Sequence, residues 1–283
     1  MLHLQKNRFL SEFSTFGIGG PIRYFAEVKN ADEIREAFSF ELPCMIIGKG
    51  SNCLFDDSGF DGIVLLNKID FCEWNGNEVN VGSGYSFSLL GTQASRKNLS
   101  GLEFASGIPA TVGGAVFMNA GANGTEVSKR LTSVSYLHRD GSQRDYPKEE
   151  IEFRYRSSSF QKMDGAILSA TFRLDTLAEA RDIQLKIIEG RMKTQPLKEK
   201  SAGCVFRNPE PHLSAGALID RCGLKGAKIG GAKVSEIHAN FIVNAGGATS
   251  KDVKELMELV QRRVFEQTQI HLEPEIWMLP RGS

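Results

Sequence analysis

The sequence predicts an α+β protein: a two-lobed domain over residues 1–175, with lobes over about 1–68 and 69–175, followed by a smaller α+β domain over 176–283. Three observations predict it. Short β-rich runs bounded by glycine dominate the first 175 residues, helical periodicity sets in after residue 178, and 283 residues are enough for two separate cores.

The strand-like runs are "MIIG" at 45, "GIVLL" at 62, "EVNVGSG" at 78, "SVSYLH" at 133 and "AILSATFRL" at 166. Between them "ADEIREAF", opened by Asn30 or Asp32, sets Ile34, Ala37 and Phe38 at helical spacing, and residues 85–98 form a second helix. The first strand–helix–strand unit ends near residue 70, which divides the lobes. From 178 to 193, Ile183, Ile187 and Ile188 share a helical face that Pro196 brings to an end. The second domain then holds a short helix in "SAGALIDRC" and a strand in "ANFIVNAG". Its clearest helix begins at a Thr/Ser cap at 249, with Val253, Leu256, Met257, Val260 and Val264 at spacings of 3 and 4.

Thirty-four basic residues balance 34 acidic ones, so no global field favours nucleic acid or an anionic membrane, and an anionic ligand must be held by local groups. The opening "MLHLQKNRFLSEF" lacks the basic flank and apolar core of a secretory signal, and no run of 18 apolar residues occurs, so a cytoplasmic protein is expected. Cysteines at 44, 53, 72, 204 and 222 include no Cys-x-x-Cys pair, which predicts reduced thiols and no metal site. The ending "LPRGS" reads as the remnant of a protease recognition site and is left out of the functional reading.

Two glycine-rich segments carry the first chemical signal. In "IIGKGSNCLF" an apolar strand runs into Gly48, Lys49, Gly50, Ser51 and Asn52, a tight turn whose amides can approach a phosphate. Cys53 breaks the G-x-G-x-x-G pattern and Gly50 breaks the P-loop pattern, so this turn alone is equally a structural device. The second segment, "GLEFASGIPATVGGAVFMNAGANGTE", is poor in charge and holds Gly107, Ile108, Pro109, Ala110, Thr111, Gly113, Gly114, Asn119, Gly121 and Asn123. Backbone of this kind suits a large flat ligand and its diphosphate, and two such segments suggest a dinucleotide; bulges and tight turns of a compact sheet are the alternative.

"IGKGSN", "GLEFASGIPATVGGAVFMNAGA", "FRYRSSSF", "SAGCVFRNP" and "LEPEI" follow one another from about residue 14 to 279 in an order that resembles the UDP-N-acetylenolpyruvoylglucosamine reductase family. The resemblance implies a two-lobed FAD-binding domain of the vanillyl-alcohol-oxidase type with non-covalent FAD, contacted by the glycine-segment residues from Gly48 to Asn52 and from Gly107 to Gly121. It also implies a substrate domain whose C-terminal strand returns to the active site. The short link between "TFRLD" and "GRMKTQP" resembles the shorter family type, without an inserted tyrosine loop. The implied reaction belongs to peptidoglycan precursor synthesis. NADPH reduces FAD, and the enolpyruvyl ether of UDP-N-acetylglucosamine then takes a hydride at its β-carbon and a proton at its α-carbon, through an enediolate that must be stabilised.

Three residues fall on the family's catalytic positions. Arg156 would hold the substrate carboxylate with its permanently charged fork, whereas Arg154, two positions away, reads as a surface residue. Glu275, rather than Glu273, would act on the developing enediolate as a carboxylic acid. Cys204 stands where relatives carry serine or cysteine as the proton donor; a thiol with a reference pKa of about 8.5 is protonated at neutral pH yet readily ionised. The other four cysteines read as small buried hydrophobes. Tyr155, Asn208 and His238 are candidate substrate contacts, and Arg207, Lys193 and Lys225 candidate diphosphate partners. Trp277 departs from the family, which often has arginine there.

Three other readings compete. An oxygen-using flavoprotein oxidase of the same fold lacks a use for the "YR", "AGC" and "PE" motifs. A cysteine acyltransferase with Cys204 and His238 as nucleophile and base requires no flavin. A nucleotide-sugar binding protein without catalysis would tolerate change at all three catalytic positions.

Overall fold

The computed structural model describes residues 2–280, so the last three residues of the protease-site-like ending lie outside the described residues. The chain forms two compact units: Met1–Lys6, Tyr24–Lys49 and Gly62–Arg191 make the first, and Asn7–Arg23, Gly50–Asp61 and Met192–Ser283 the second. These units do not follow a linear boundary at residue 175. Two early segments join the C-terminal part because Phe16, Ile18 and Leu54 pack into one core with Val205, Ile242 and Leu256.

In the first unit the strands Cys44–Ile47 and Phe60–Asn67 pair in parallel, Cys44 opposite Ile63 and Ile47 opposite Leu66. The first helix, α1 (Ala31–Phe38), starts at Asn30, whose side chain accepts the Glu33 amide at 3.0 Å. Its Ile34 and Ala37 share a core with Val28, Ile63 and Leu65. The second lobe is a five-stranded antiparallel sheet with the strands in the order Gln143–Pro147, Leu131–His138, Gly165–Arg173, Glu78–Gly82 and Cys72–Asn75.

The strand Gly165–Arg173 explains its own nearly unbroken apolar sequence. Side chains alternate across a strand, a bulge at Leu168 shifts that alternation, and both faces are covered. Ala166 and Leu168 join the core of α1, whereas Ile167, Ala170 and Phe172 join a second core with Val81, Leu90 and Phe104. The same second core takes up the buried faces of α2 (Phe87–Arg96) and α3 (Val112–Phe117). Next comes α4 (Ala180–Thr194), which buries Ala180 and Gln184 and leaves Ile183 39% exposed, so its isoleucine stripe is not a core face in this structure.

The second unit holds a four-stranded sheet in the order Ser201–Cys204, Phe241–Asn244, Ala232–Val234 and Lys228–Ile229, with α5 (Ala215–Arg221) and α6 (Ser250–Thr268). The stripe of α6 is fully buried, from Val253 through Val264. Thr249 and Asp252 close its N-terminus reciprocally: the hydroxyl accepts the Asp252 amide at 3.1 Å and the carboxylate accepts the Thr249 amide at 3.0 Å. One turn on, Lys254 donates to Asp56 at 2.6 Å.

Two outcomes follow from these contacts. Leu256 is wholly buried, so Leu256→Ala is expected to lower the unfolding free energy by about 2–5 kcal/mol in denaturant titration. The Lys254 hydrogen bond, helped by the Ser58 amide and hydroxyl, holds the Asp56 carboxyl well below the usual carboxylate range. A depressed folded-state value stabilises above the unfolded value, about 4, and that stabilisation is lost as pH falls below it. Lys254→Met should therefore flatten the loss of thermal stability between about pH 4 and pH 2 relative to the parent chain.

Candidate active site

The first unit brings Gly48 and Lys49 together with the second glycine segment. Residues 85–87 and 110–112 zip by backbone hydrogen bonds, Phe87 N–H to Ala110 O at 3.0 Å and Val112 N–H to Tyr85 O at 2.9 Å. This sets the beginnings of α2 and α3 side by side, capped by Ser86, which accepts the Leu89 amide, and Thr111, which accepts the Gly114 amide. Gly48 closes against the same point: a β-carbon there would stand 2.4 Å from Thr111 Oγ1, so only glycine fits. Lys49 follows and donates to Ser86 Oγ at 3.3 Å.

Beside this junction lies a cleft of about 400 Å³ lined by Lys49, Ser86, Ser88, Leu89, Thr92, Gly107, Ile108 and Pro109. One ammonium, three hydroxyls and no carboxylate make it suited to an anion, with apolar walls for a flat group. The sequence reading included Lys49 and the 107–109 turn but missed Ser86, Ser88, Leu89 and Thr92. Their signal was available: a serine cap opening a helix directly behind the glycine-rich "VGSGY".

Arg156 lies in the same unit at the tip of a hairpin between the strands Phe153–Arg154 and Ser157–Ser158. Its φ is +55°, a left-handed backbone that costs a non-glycine residue about 1–2 kcal/mol and that clusters at functional positions. The guanidinium stands 5.1 Å from the ring centre of Tyr155, which is 47% exposed. Arg154 is ion-paired with Glu152 on the surface, as its place in the strand predicted.

Two residues of the predicted cofactor set also have roles within the fold. Asn119 is completely buried, and its amide is used within the fold, donating to Arg154 O at 3.1 Å and accepting the Ser128 amide at 3.0 Å. Gly121 is closed by its own hairpin, with Thr125 O 2.6 Å from where a β-carbon would stand. The Asn119 amide is thus engaged within the fold, and the hairpin backbone leaves no room for a side chain at Gly121. A β-carbon at Gly113 would stand 2.9 Å from Ser83 Cβ, and one at Gly114 3.5 Å from Thr111 Oγ1.

In the second unit a β-bulge aims Cys204. Ser201 pairs with Val243 but Cys204 pairs with Phe241, so one extra residue is accommodated, and Gly203 supplies the left-handed φ of +78° that the bulge needs. The chain beyond it pairs with the C-terminal segment: Glu275 N–H donates to Val205 O at 2.7 Å and Arg207 N–H to Glu273 O at 2.8 Å. Cys204 and Glu275 thus come from segments joined next to both residues. Asn52 completes the arrangement, its side chain donating to Glu275 O at 3.3 Å and its carbonyl accepting the Trp277 amide at 2.9 Å.

His238 lies nearby in sequence on the loop before the strand Phe241–Asn244, its Nδ1 accepting the Asn240 amide at 3.3 Å and its ring 4.9 Å from Phe241. Burial, and secondarily Lys225, hold its pKa below the ordinary histidine value, so it is neutral at neutral pH. Asn208 is exposed and accepts the Ala215 amide at 3.1 Å. Desolvation pushes the Cys53 thiol up to about 12, in keeping with an inert filler.

Comparison with known proteins addresses the chain as a whole. Residues 23–146 match a family model described as an FAD binding domain, and residues 195–279 one described as the C-terminal domain of UDP-N-acetylenolpyruvoylglucosamine reductase. The UDP-N-acetylenolpyruvoylglucosamine reductase of Protochlamydia amoebophila is 53% identical over 98% of this chain and 94% of its own length. The chain belongs to the UDP-N-acetylenolpyruvoylglucosamine reductase family. The protein of that name from Chlamydia trachomatis serovar A is 49% identical over 98% of this chain and 96% of its own. The crystal structure of the Thermus caldophilus enzyme superposes with a TM-score of 0.85 at 38% identity, covering 99% of this chain and all of the other.

Membership makes the chain an FAD-dependent oxidoreductase of peptidoglycan synthesis, and the fold is that of an FAD-binding domain joined to the family's C-terminal domain. The first unit fits such a cofactor, because the cleft at Lys49 offers a cation, hydroxyls and turn backbone where a diphosphate requires donors.

The bulge yields a test that needs no ligand. Gly203→Ala has open space for its methyl group but the wrong backbone preference. It is expected to cost about 1–2 kcal/mol in thermal or denaturant unfolding.

Proposed function

We propose that this chain reduces the enolpyruvyl ether of UDP-N-acetylglucosamine to the D-lactyl ether with NADPH as hydride source, through Arg156, Cys204 and Glu275. The observation that supports this best is the backbone pairing of residues 205–207 with 273–275, which draws the cysteine and glutamate segments together from distant parts of the sequence. Non-covalently bound FAD supplies a carrier that accepts a hydride from the nicotinamide and delivers one to carbon. Lys49, Ser86, Ser88, Thr92 and the backbone of 107–111 would hold it.

The chain's own groups manage charge and the proton. Once the β-carbon has gained a hydride, two electrons move onto the substrate carboxylate. The Arg156 fork strengthens its hydrogen bonds to both oxygens as that charge grows. The Glu275 carboxylic acid donates a further hydrogen bond to the enediolate, and the Cys204 S–H gives its proton to the α-carbon, leaving a thiolate that solvent reprotonates. Tyr155, Asn208 and His238 contact the substrate. Among the basic candidates for the diphosphate, Lys225 is held by Asp220 at 2.8 Å, whereas Arg207 Nε is buried with no hydrogen-bond partner among the described residues. Arg207 is therefore the proposed diphosphate ligand. Among the described residues no helix is long and apolar enough to cross a membrane, and the cytoplasm is the proposed compartment.

The purified protein should show the visible spectrum of oxidised flavin, bleached by NADPH and restored by the enolpyruvyl sugar nucleotide. A colourless protein that takes up no FAD would end the proposal. Cys204→Ala should leave bleaching within about twofold of the parent rate but slow substrate-driven reoxidation by about 10²-fold or more, with Cys204→Ser retaining substantial activity. An equal loss in both half-reactions would count against the proton-donor role.

A further inference from the structure

We propose that Gln161 is a positioning residue for the reduction, fixing the Arg156 hairpin against the C-terminal end of α3. The inference rests on the reading that Arg156 holds the substrate carboxylate. A primary amide has two N–H donors, and Gln161 directs them at two main-chain carbonyls: Phe117 O at 2.9 Å and Arg156 O at 3.2 Å. Its own oxygen accepts a longer contact from Ser157 Oγ at 3.4 Å.

The two carbonyls differ in kind. Phe117 is the last residue of α3, so its carbonyl has no partner within the helix, and Ser158 Oγ also donates to it at 2.8 Å. Arg156 is the left-handed residue at the hairpin tip. Gln161 is the side chain that bonds to both, and it ties the arginine's peptide to a helix whose other end carries Thr111 and the glycine segment. Without these donors the hairpin keeps its two-residue ladder and the Ser158 bond, but the Arg156 carbonyl loses the side-chain donor that fixes its peptide.

The test compares two ligands of the full-length, FAD-loaded enzyme by calorimetry. UDP-N-acetylmuramate carries the lactyl carboxylate; UDP-N-acetylglucosamine does not. Gln161→Leu should weaken the first at least tenfold and the second by less than twofold. Gln161→Glu, which keeps the shape but sets a carboxylate beside two carbonyl oxygens, should behave in the same way and serves if the leucine variant does not fold. Gln161→Lys, whose ammonium can donate to both carbonyls, should stay within threefold of the parent for both ligands. In stopped flow, Gln161→Leu should slow reoxidation by the enolpyruvyl substrate at least tenfold and leave NADPH bleaching within twofold. Equal weakening of both ligands, no weakening in either the leucine or glutamate variant, or a lysine variant as poor as leucine would overturn the proposal. Arg156→Ala separates the two levels of inference. If it does not remove the preference for the carboxylate ligand, the assignment of Arg156 fails; if it does and Gln161→Leu does not, the positioning role fails.

Discussion

The carbonyl of Phe117 accepts hydrogen bonds from Ser158 Oγ and Gln161 Nε2, and this docking of a hairpin on a helix end is the constraint that organises the first unit's chemistry. Six residues are too few for a helix to persist on its own, so α3 owes its existence to what it touches. Val112, Ala115 and Val116 hold its apolar side in the core, Thr111 caps its start, and the hairpin completes its end. A displacement of either end is therefore felt at the other. That coupling is what a site needs if the group holding a cofactor and the group holding a substrate carboxylate must keep a fixed relation within one body.

The second unit reaches the same end by backbone bonds. The ladder from Val205–Glu275 to Arg207–Glu273, the bulge at Gly203 and the parallel pairing of Trp277 with Cys53 use main-chain atoms. Such bonds are largely indifferent to side-chain identity. At Trp277 the strand is held through its main chain, the amide donating to Asn52 O. Asn52, read from the sequence as a phosphate-turn residue, bonds through its side chain to Glu275 O and so belongs to the support of that strand.

Much of the scaffold was legible because periodicity records burial. The α6 stripe and the apolar run at 166–172 each appear in the structure as their patterns require, with a buried face in one case and two buried faces in the other. The isoleucines of α4 show the limit, since a shared helical face states a direction but not whether anything covers it. Interleaving of the units was invisible because it depends on where Phe16, Ile18 and Leu54 find partners nearly two hundred residues away. Asn119 shows a related limit. An asparagine among glycines looks the same whether its amide faces a ligand or is consumed by Arg154 and Ser128. Gly203 was more informative than it was taken to be, because an isolated glycine within a strand announces a bulge.

Arg156 itself carries the strongest physical argument for function. A two-residue hairpin tip with positive φ is ordinarily the place of glycine or asparagine, and the other positive-φ residues outside glycine are mostly asparagines among the described residues. Arginine there gives up about 1–2 kcal/mol of backbone preference. Its guanidinium stands over the ring of Tyr155. The surrounding bonds offset the strain locally: Asn119 holds the carbonyl of Arg154, Ser158 holds the helix end, and Gln161 holds the carbonyl of Arg156. Each bond alone is modest, of the order of 1 kcal/mol, but three around one hairpin are enough to keep an unfavourable dihedral as the only conformation in use. The strained arginine and its ring of donors are thus one device, and neither has a reason to be there without the other.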